Sequence, residues 1–205
     1  MTGPHVTEAV VGTLATTTWV MGEHPRHPRE VTPFVFAVAE RFFALLALLA
    51  LGGAGVIAGL VATGRVPAWL RTTLALPLST AVATTATLGS LYLSEIAGYP
   101  PCVLCWYQRI AMYPLVVVLG VAALRGDTQV WRTSVPLAGV GAAIAVYHLG
   151  VERLAALGGS CDISAPCDVL WVQEFGFVTI PGMALAGFLA IISLSLAARS
   201  RPTDD

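Results

Sequence analysis

The sequence contains no lysine, and few of its side chains carry a charge of either sign. Its 205 residues include 11 arginines and 12 acidic residues, so charged residues make up 11% and the net charge is −1. Hydrophobic residues make up 56%, and the mean hydropathy is +0.77. This composition leaves too little polar surface for a soluble monomer. It also excludes nucleic-acid binding as the main function, because phosphates require clustered cations.

Several signals of other protein classes are also missing. No motif for a flavin, haem or nicotinamide cofactor is visible, and no repeat of fixed period occurs. No basic segment precedes the first long apolar run, which has the length of a membrane span rather than that of a signal peptide. We therefore expect the first apolar helix to be retained.

What the sequence does have is five long apolar runs. A helix needs about 20 such residues to cross the roughly 30 Å hydrocarbon core of a bilayer. The first, second and fifth runs contain no charged residue, whereas the third and fourth carry polar groups near one end only. The runs cover residues 42–63, 72–94, 102–124, 133–157 and 175–198.

These runs predict an all-α integral membrane protein, in which one extra N-terminal transmembrane helix precedes a four-helix transmembrane bundle. We expect four segments along the chain. They are a polar extracytoplasmic extension (1–33), the extra helix (34–66), the four-helix domain (72–200) and a cytoplasmic tail (201–205).

The arginines between the runs predict the orientation in the membrane, because cytoplasmic loops carry an excess of positive charge. Six of them fall in alternate connections: Arg65, Arg71, Arg125, Arg132, Arg199 and Arg201. The other connections hold acidic residues together with Cys161 and Cys167, and Cys102 and Cys105 begin the third run at the same end. We therefore expect the N-terminus and both cysteine pairs to be extracytoplasmic, where disulfides persist.

Cys102 and Cys105 form a Cys-x-x-Cys motif directly after Pro100 and Pro101. Proline is favoured at the start of a helix, so we expect the motif to open the third helix. Cysteines at i and i+3 share one helix face, and the helix N-terminus stabilises a thiolate. This arrangement is typical of a redox-active dithiol.

Cys161 and Cys167 form a second pair, in the loop between the fourth and fifth runs. The short segment between them favours a disulfide of low entropic cost. Such a disulfide is either structural or an exchange partner of the first pair. Four thiolates also suit tetrahedral zinc. We expect no metal, because a structural zinc site requires neither a membrane location nor the nearby Arg109.

Three further polar residues lie near the cysteine end of the runs. Arg109 lies one turn beyond Cys105, where it either holds an anionic or quinone oxygen or extends to the lipid headgroups. His148 and Glu152 share one face of the fourth helix. They either serve a bound redox carrier, by hydrogen bonding or proton delivery, or form ion pairs between helices.

Five stretches of the sequence carry a family resemblance. They are GSLYLSEI (89–96), PCVLCWYQRIAMYPLVVVLG (101–120), YHLGVE (147–152), the Cys-x₅-Cys loop and FGFVTIP (175–181). Together they resemble the DsbB family of disulfide bond formation proteins, and in particular its BdbC-like branch. The resemblance covers about residues 72–200, and the first helix and the extension lie outside it.

The resemblance implies a thiol:quinone oxidoreductase of the bacterial inner membrane. Such a protein reoxidises an extracytoplasmic thioredoxin-fold (DsbA-like) thiol oxidase and passes the electrons to ubiquinone or menaquinone, supporting disulfide formation in exported proteins. By this match Cys161 and Cys167 meet the partner. Two rival functions stay open: a membrane scaffold with structural disulfides or zinc, and a quinone reductase like vitamin K epoxide reductase.

The resemblance also implies roles for residues near the first pair. Cys102 and Cys105 match the quinone-proximal pair, with Cys105 contacting the quinone ring and Arg109 beside it. His148 matches a family position near the helix end, and we count it with Glu152 among the quinone-binding candidates. The sequence departs from better-studied members in two places: Gln108 stands where others have Glu, and the segment between the second pair is shorter.

Overall fold

The computed structural model describes residues 33–154 and 166–200. In this part of the chain five helices are long and apolar enough to cross a membrane, which confirms an all-α, multi-pass membrane protein. The helices are α1 (Pro33–Ala62), α2 (Ala75–Leu91), α3 (Val103–Arg125), α4 (Trp131–Arg153) and α5 (Ile180–Arg199); the strands are β1 (Gln173–Glu174) and β2 (Val178–Thr179).

Helices α2 to α5 form the predicted four-helix bundle. Each of them packs against two neighbours, in the order α2, α3, α4, α5 and back to α2. The main apolar core lies among them and includes Leu115, Leu119, Phe188 and Ile191, all fully buried. We call the end of the bundle where α3 begins the cysteine end.

Helix α2 is lengthened at both ends by π-helical turns, at Leu70–Leu74 and Tyr92–Ile96. Threonines inside it bond back to the preceding turn: Thr80 Oγ1 donates to the Leu76 carbonyl at 2.9 Å, and Thr84 Oγ1 to the Thr80 carbonyl at 2.8 Å. A hydroxyl satisfied within its own helix can lie in apolar surroundings at little cost. This explains how a threonine-rich segment serves as a membrane span.

Helix α3 begins where the Cys-x-x-Cys motif predicts. Cys102 is its N-cap, and the Cys102 sulfur accepts a hydrogen bond from the backbone N–H of Cys105 at 3.4 Å. At the other end Gly126 adopts φ 64°, a left-handed conformation that suits glycine and ends the helix. The motif is thus held at a helix N-terminus.

Helices α4 and α5 approach each other closely at Gly141. A Cβ atom at this position would lie 2.2 Å from the ring of Phe188, so only glycine leaves room for that ring. Nearer the opposite end of the bundle, the hydroxyls of Ser134 and Ser195 lie 3.0 Å apart and are buried. These contacts fix how the two helices are placed along each other.

Helix α1 packs along α5, outside the four-helix ring. Near the cysteine end, Tyr99 donates a hydrogen bond to the Glu40 carboxylate. Burial, together with Glu40, raises the pKa of Tyr99 to about 12, so the phenol keeps its proton at physiological pH. Arg41 also lies 3.5 Å from Glu174, in a pair whose arginine is exposed, so the pair contributes little to stability.

The fifth run was wrongly predicted to be helical from residue 175. Residues 173–179 instead form a hairpin, in which Gln173 pairs with Thr179 and Glu174 with Val178. Phe175 and Gly176 have positive φ in its turn, a conformation that ends a helix. Hydropathy alone does not separate an apolar hairpin from an apolar helix, which explains the error.

Two other predicted boundaries differ from the structure. Helix α1 begins at Pro33, next to the start of the predicted segment 34–66 but before the uncharged run, which starts at residue 42 because Glu40 and Arg41 interrupt the run without interrupting the helix. Helix α4 ends at Arg153, whereas the fourth run was predicted to reach residue 157. Residues 1–32, 155–165 and 201–205 lie outside the described part of the chain.

Candidate redox site

The sulfur atoms of Cys102 and Cys105 lie 3.3 Å apart, and both residues are free thiols. A hydrogen bond with Cys105 lowers the pKa of Cys102 to about 4, against the opposing effect of burial, and a contact with His148 lowers it further. The N-cap position acts in the same direction, because a helix N-terminus favours a thiolate. The reduced pair therefore carries a thiolate on Cys102 at neutral pH.

His148 connects the first cysteine pair to the second. Its Nε2 atom lies 3.7 Å from the Cys102 sulfur and 3.2 Å from the Cys167 carbonyl oxygen. Its Nδ1 atom lies 3.0 Å from the side-chain nitrogen of Gln108. Because that amide donates to Nδ1, the neutral imidazole carries its proton on Nε2. The proton thus faces both the thiolate and the backbone of the second pair.

Cys167 is disulfide-bonded, and its side chain is buried. It packs in one apolar cluster with Cys102, Leu104 and Val151. The other predicted member of the second pair, Cys161, lies outside the described residues. The structure thus brings three of the four predicted positions together: the first cysteine pair, and Cys167 beside it.

A small pocket of about 20 Å³ lies against the first cysteine pair and Cys167. This volume is enough for roughly one water molecule. Its lining includes Cys102, Cys105, His148, Glu152 and Cys167.

Glu152 lies at the edge of this small pocket and connects α4 to the hairpin. Its carboxylate accepts a hydrogen bond from Thr179 Oγ1 at 2.8 Å, and Thr179 is fully buried.

Arg109 is directed into the protein and is only 9% exposed. Its Nε atom donates to Ser90 Oγ at 3.0 Å, and its Nη2 atom donates to the Ser90 carbonyl at 3.1 Å. The guanidinium also lies 5.2 Å from the centre of the Trp106 ring, as in a cation–π contact. This geometry contradicts the alternative in which Arg109 extends to the lipid headgroups.

A much larger cavity, of about 500 Å³, also borders Cys105. Most of its polar side chains lie toward the cysteine end, and most of the remaining wall is apolar. The polar residues near that end are Ser90, Ser94, Tyr99, Gln108, Arg109 and Tyr113, and Thr85 lies further along α2.

Cys105 is the one cysteine among the described residues that borders both spaces. Of the three predicted quinone-binding residues, only Arg109 lines the large cavity. His148 and Glu152 border the small pocket instead. The structure thus separates the two sets of candidates.

Sequence reasoning missed Gln108 and Ser90 as parts of the site. Gln108 was noted only as a departure from a family Glu, although its spacing from Cys105 puts the two on one helix face. Ser90 belongs to the GSLYLSEI stretch, but nothing in the sequence pairs it with a residue on another helix. Tyr113, whose hydroxyl lies 3.5 Å from Ser90 Oγ, was missed for the same reason.

Cys102, Cys105 and His148 also offer a set of metal-ligand atoms, all within 4.8 Å of one another. Structural zinc is almost always bound by four ligands in a tetrahedral arrangement. The neighbouring Cys167 is disulfide-bonded and therefore has no thiolate to contribute. The described residues thus supply three donors.

The fold and the site together define a class: a multi-pass helical membrane protein with a dithiol at the head of one helix. A family model described as "Disulfide bond formation protein DsbB" matches residues 71–200, more than half of the chain. The chain therefore belongs to the DsbB family, in its BdbC-like branch, and has an oxidoreductase role in disulfide bond formation. Helix α1 lies outside the matched region.

Individual relatives agree with this assignment. A probable disulfide formation protein C 1 of Bacillus cereus is 50% identical over 109 residues, which cover 52% of this chain and 78% of the relative. The disulfide bond formation protein C of Bacillus subtilis is 47% identical over 113 residues, covering 54% of this chain and 82% of the relative. No solved structure matches.

Proposed function

We propose that this protein is a membrane thiol:quinone oxidoreductase that reoxidises an extracytoplasmic thioredoxin-fold dithiol oxidase. One observation carries the proposal: Cys105 borders both the small pocket, which it shares with Cys102 and Cys167, and the large cavity, which Arg109 also lines. A sulfur in this position can accept electrons from thiols on one side and release them on the other.

The thiol side of the reaction consists of disulfide exchanges. A thiolate of the reduced partner attacks the disulfide that includes Cys167, and the cysteine released there attacks the Cys102–Cys105 disulfide. Each exchange breaks one S–S bond and forms another, so the oxidised partner leaves and the first pair becomes the dithiol. The shared cluster of Cys102 and Cys167 keeps the exchanging pairs adjacent.

We propose a distinct role for each residue around the first cysteine pair. The lowered pKa keeps Cys102 as a thiolate, ready to re-form the disulfide with Cys105. His148 presents its Nε2 proton to that thiolate, and Gln108 holds the imidazole in this tautomer. We therefore assign His148, Gln108 and Glu152 to the thiol side rather than to quinone binding.

The residues of the large cavity fit a membrane quinone. A quinone has a ring with two polar oxygens and a long apolar tail, and it supplies an acceptor for two electrons and two protons. The cavity has a buried cation and several hydroxyl groups at one end and mostly apolar side chains elsewhere. Its volume of about 500 Å³ lies within the range of ligand pockets. We propose that Arg109, Ser90 and Tyr113 line the position of the ring.

The predicted orientation completes the proposal: the cysteine end faces the extracytoplasmic side of the bacterial inner membrane. It is supported by the arginines at the opposite end, such as Arg71 before α2 and Arg125 at the end of α3. In this orientation the cysteines meet an oxidising compartment.

The test uses the purified full chain in lipid nanodiscs, mixed with a reduced thioredoxin-fold oxidase and either ubiquinone or menaquinone. We expect quinone absorbance to change with turnover, and Cys105→Ser to abolish the change. Cys167→Ala should abolish turnover with the protein donor but leave slower turnover with dithiothreitol, because the first pair remains. Equal loss with both donors would contradict the division of labour between the pairs.

The three donors at Cys102, Cys105 and His148 favour a second candidate, a zinc-bound membrane scaffold. Elemental analysis of the same preparation separates the two. About one zinc per chain, without quinone-dependent turnover, would replace the oxidoreductase proposal. Turnover that is insensitive to a chelator would exclude the scaffold.

A further inference from the structure

We propose that α1 forms one wall of the quinone cavity and holds the isoprenoid tail of the quinone. This inference rests on the proposed quinone reductase function. It concerns a helix outside the region matched by the family model, and it assigns that helix a part in substrate selection.

At the cysteine end, the Phe43 side chain of α1 reaches α2. A Cβ atom at Gly89 would lie 3.0 Å from the ring of Phe43, so the ring fills the space that this glycine leaves. The Phe43 ring also lies 5.8 Å from that of Tyr92. Phe43 therefore bridges α1 and α2 at the cysteine end of the cavity.

At the opposite end, α1 closes against α5. Ile57 and Leu60 pack on a cluster that includes Leu194 and the fully buried Ala197. Helix α1 thus contacts the bundle at both ends of the cavity. Phe43, Ile57 and Leu194, which make these contacts, also line the cavity.

Between these two contacts, small residues of α1 leave space. Ala47, Ala50, Gly53 and Ala54 line the cavity. A Cβ atom at Gly53 would meet no other atom within 4 Å, so this part of the wall faces open volume. This volume lies between α1 and the bundle helices α2 and α5, and it opens toward the outside of the protein, since the exposed Leu49 also lines it.

The length of this space indicates which part of a quinone it suits. Arg109 bonds to Ser90, the residue after Gly89, so the cationic end of the cavity is level with Phe43. Gly53 lies ten residues further along α1, which corresponds to about 15 Å along the helix axis. An apolar space that extends this far beyond the cation suits a tail rather than a ring.

The same apolar volume would also suit the acyl chain of a lipid. A quinone is favoured because the polar end of the cavity offers the Cys105 sulfur beside a buried cation, which is the chemistry of electron transfer to a polar ring. A phospholipid phosphate would instead require an exposed cationic site at the membrane surface.

A matched pair of glycine substitutions tests the inference. Gly53→Phe places a ring in the cavity, whereas Gly52→Phe places the same ring on the exposed face of the same helix, where a Cβ also meets nothing within 4 Å. The full chain in nanodiscs is titrated with a menaquinone that has a four-isoprene tail, and with menadione, its ring without the tail. A ubiquinone pair with and without a tail is run in parallel. Binding is followed by tryptophan fluorescence and by extraction of retained quinone.

We expect Gly53→Phe to weaken binding of the tailed quinone about tenfold or more, because the added ring and the tail compete for one space. Binding of the tail-less ring should not change, and Gly52→Phe should match the wild type with both probes. Unchanged binding of the tailed quinone by Gly53→Phe, or equal weakening by Gly52→Phe, would overturn the inference.

Ala50→Leu repeats the test with a smaller insertion, in case the phenylalanine disturbs the fold. Selective loss of the tailed quinone in this variant supports the inference, and loss of both probes overturns it. A wild-type protein that binds and reduces no quinone would overturn the proposed function itself. A wild-type protein that binds both probes, with variants that do not differ, would overturn only the role of α1.

Discussion

Two cysteines separated by only two residues have different surroundings in this protein. Cys102 is buried beside His148 and Cys167, whereas Cys105 borders the large cavity. The difference follows from the helix start: the N-cap residue lies outside the first turn, and the residue three positions later lies within it. Their chemistry should therefore be separable by experiment.

The lowered pKa of Cys102 predicts a thiolate that persists in acid. Because the pKa is lowered from 9.0 to about 4, the thiolate is present above that value and is lost only as the pH falls through it. The measurement is thiolate absorbance of the reduced protein against pH, with Cys102→Ser as the blank. Cys105→Ala should raise this pKa more than His148→Gln does, because the bond with Cys105 is the larger cause. A Cys102 that titrates near the ordinary thiol value would contradict this prediction.

Arg109 is expected to act on the quinone and not on the protein partner. Arg109→Ala should raise KM for quinone about tenfold or more while leaving KM for the partner nearly unchanged, since it removes a buried charged donor. Arg109→Lys should recover part of the affinity, because a lysine restores the charge without the forked geometry.

The control for Arg109 is Arg132→Ala, since Arg132 lies beside Trp131 at the opposite end of the bundle. It should change neither KM. An unchanged KM for quinone in Arg109→Ala would leave Arg109 with only its structural bonds to Ser90.

At the scale of single residues, the sequence predicted which residues belong to the site better than it predicted which side chains they contact. The spacing of Cys102, Cys105 and Arg109 on one helix was readable, because three and four residues make one turn. The separation of Arg109 from His148 was not readable. It depends on which side of α3 meets α4 and which side meets the cavity, and that is decided by packing between distant parts of the chain.

At the scale of helices and strands, apolar length predicted the five spans, but their ends followed local chemistry. The start of α3 was predicted because proline and an N-cap cysteine are local signals. The hairpin before α5 was missed, since Phe175 and Val178 are as apolar as the helix that follows. The segment assigned to the first helix began at residue 34, one residue after the observed start, although the uncharged run began only at residue 42. The sequence did not show that Glu40, in the first turns of α1, has Tyr99 as a partner, because that contact spans 59 residues.

Close packing of α4 on α5 gives a prediction at this scale. Gly141→Ala should destabilise the protein by about 1–3 kcal/mol, because the new methyl group overlaps the buried Phe188 ring. Gly139→Ala is the matched control on the same helix, since a Cβ there meets nothing within 4 Å. It should be neutral or slightly stabilising, as expected for alanine in place of a helical glycine. Unfolding in a detergent titration measures both, and equal stability of the two variants would contradict the prediction.

For the whole molecule, the arginine distribution predicts the orientation in the membrane. The connections after α1 and α3 should be cytoplasmic, and both cysteine pairs and the N-terminus extracytoplasmic. Single cysteine reporters near Gly3, Ser164 and Gly126, on a cysteine-free background, test this with an impermeant thiol label on intact cells. We expect labelling at the first two and none at Gly126.

Different results of this labelling have different meanings. Labelling near Gly126 but not near Ser164 would invert the orientation and remove the oxidising compartment on which the proposed function depends. Failure near Gly3 alone would leave the four-helix bundle in place and change only the path of α1.

The contact between Gly141 and Phe188 affects how precisely His148 is positioned beside the Cys102 sulfur. His148 lies seven residues beyond Gly141 on α4, about 10 Å along the axis. Because the Phe188 ring occupies the space at Gly141, α4 cannot slide along α5 without a steric clash. A shift of about 1.5 Å, the rise of one residue, would be comparable to the difference between contact and separation at the Cys102 sulfur. The close contact at Gly141 thus limits how far the His148 imidazole can move relative to the Cys102 thiolate, although Gly141 lies two helical turns from His148.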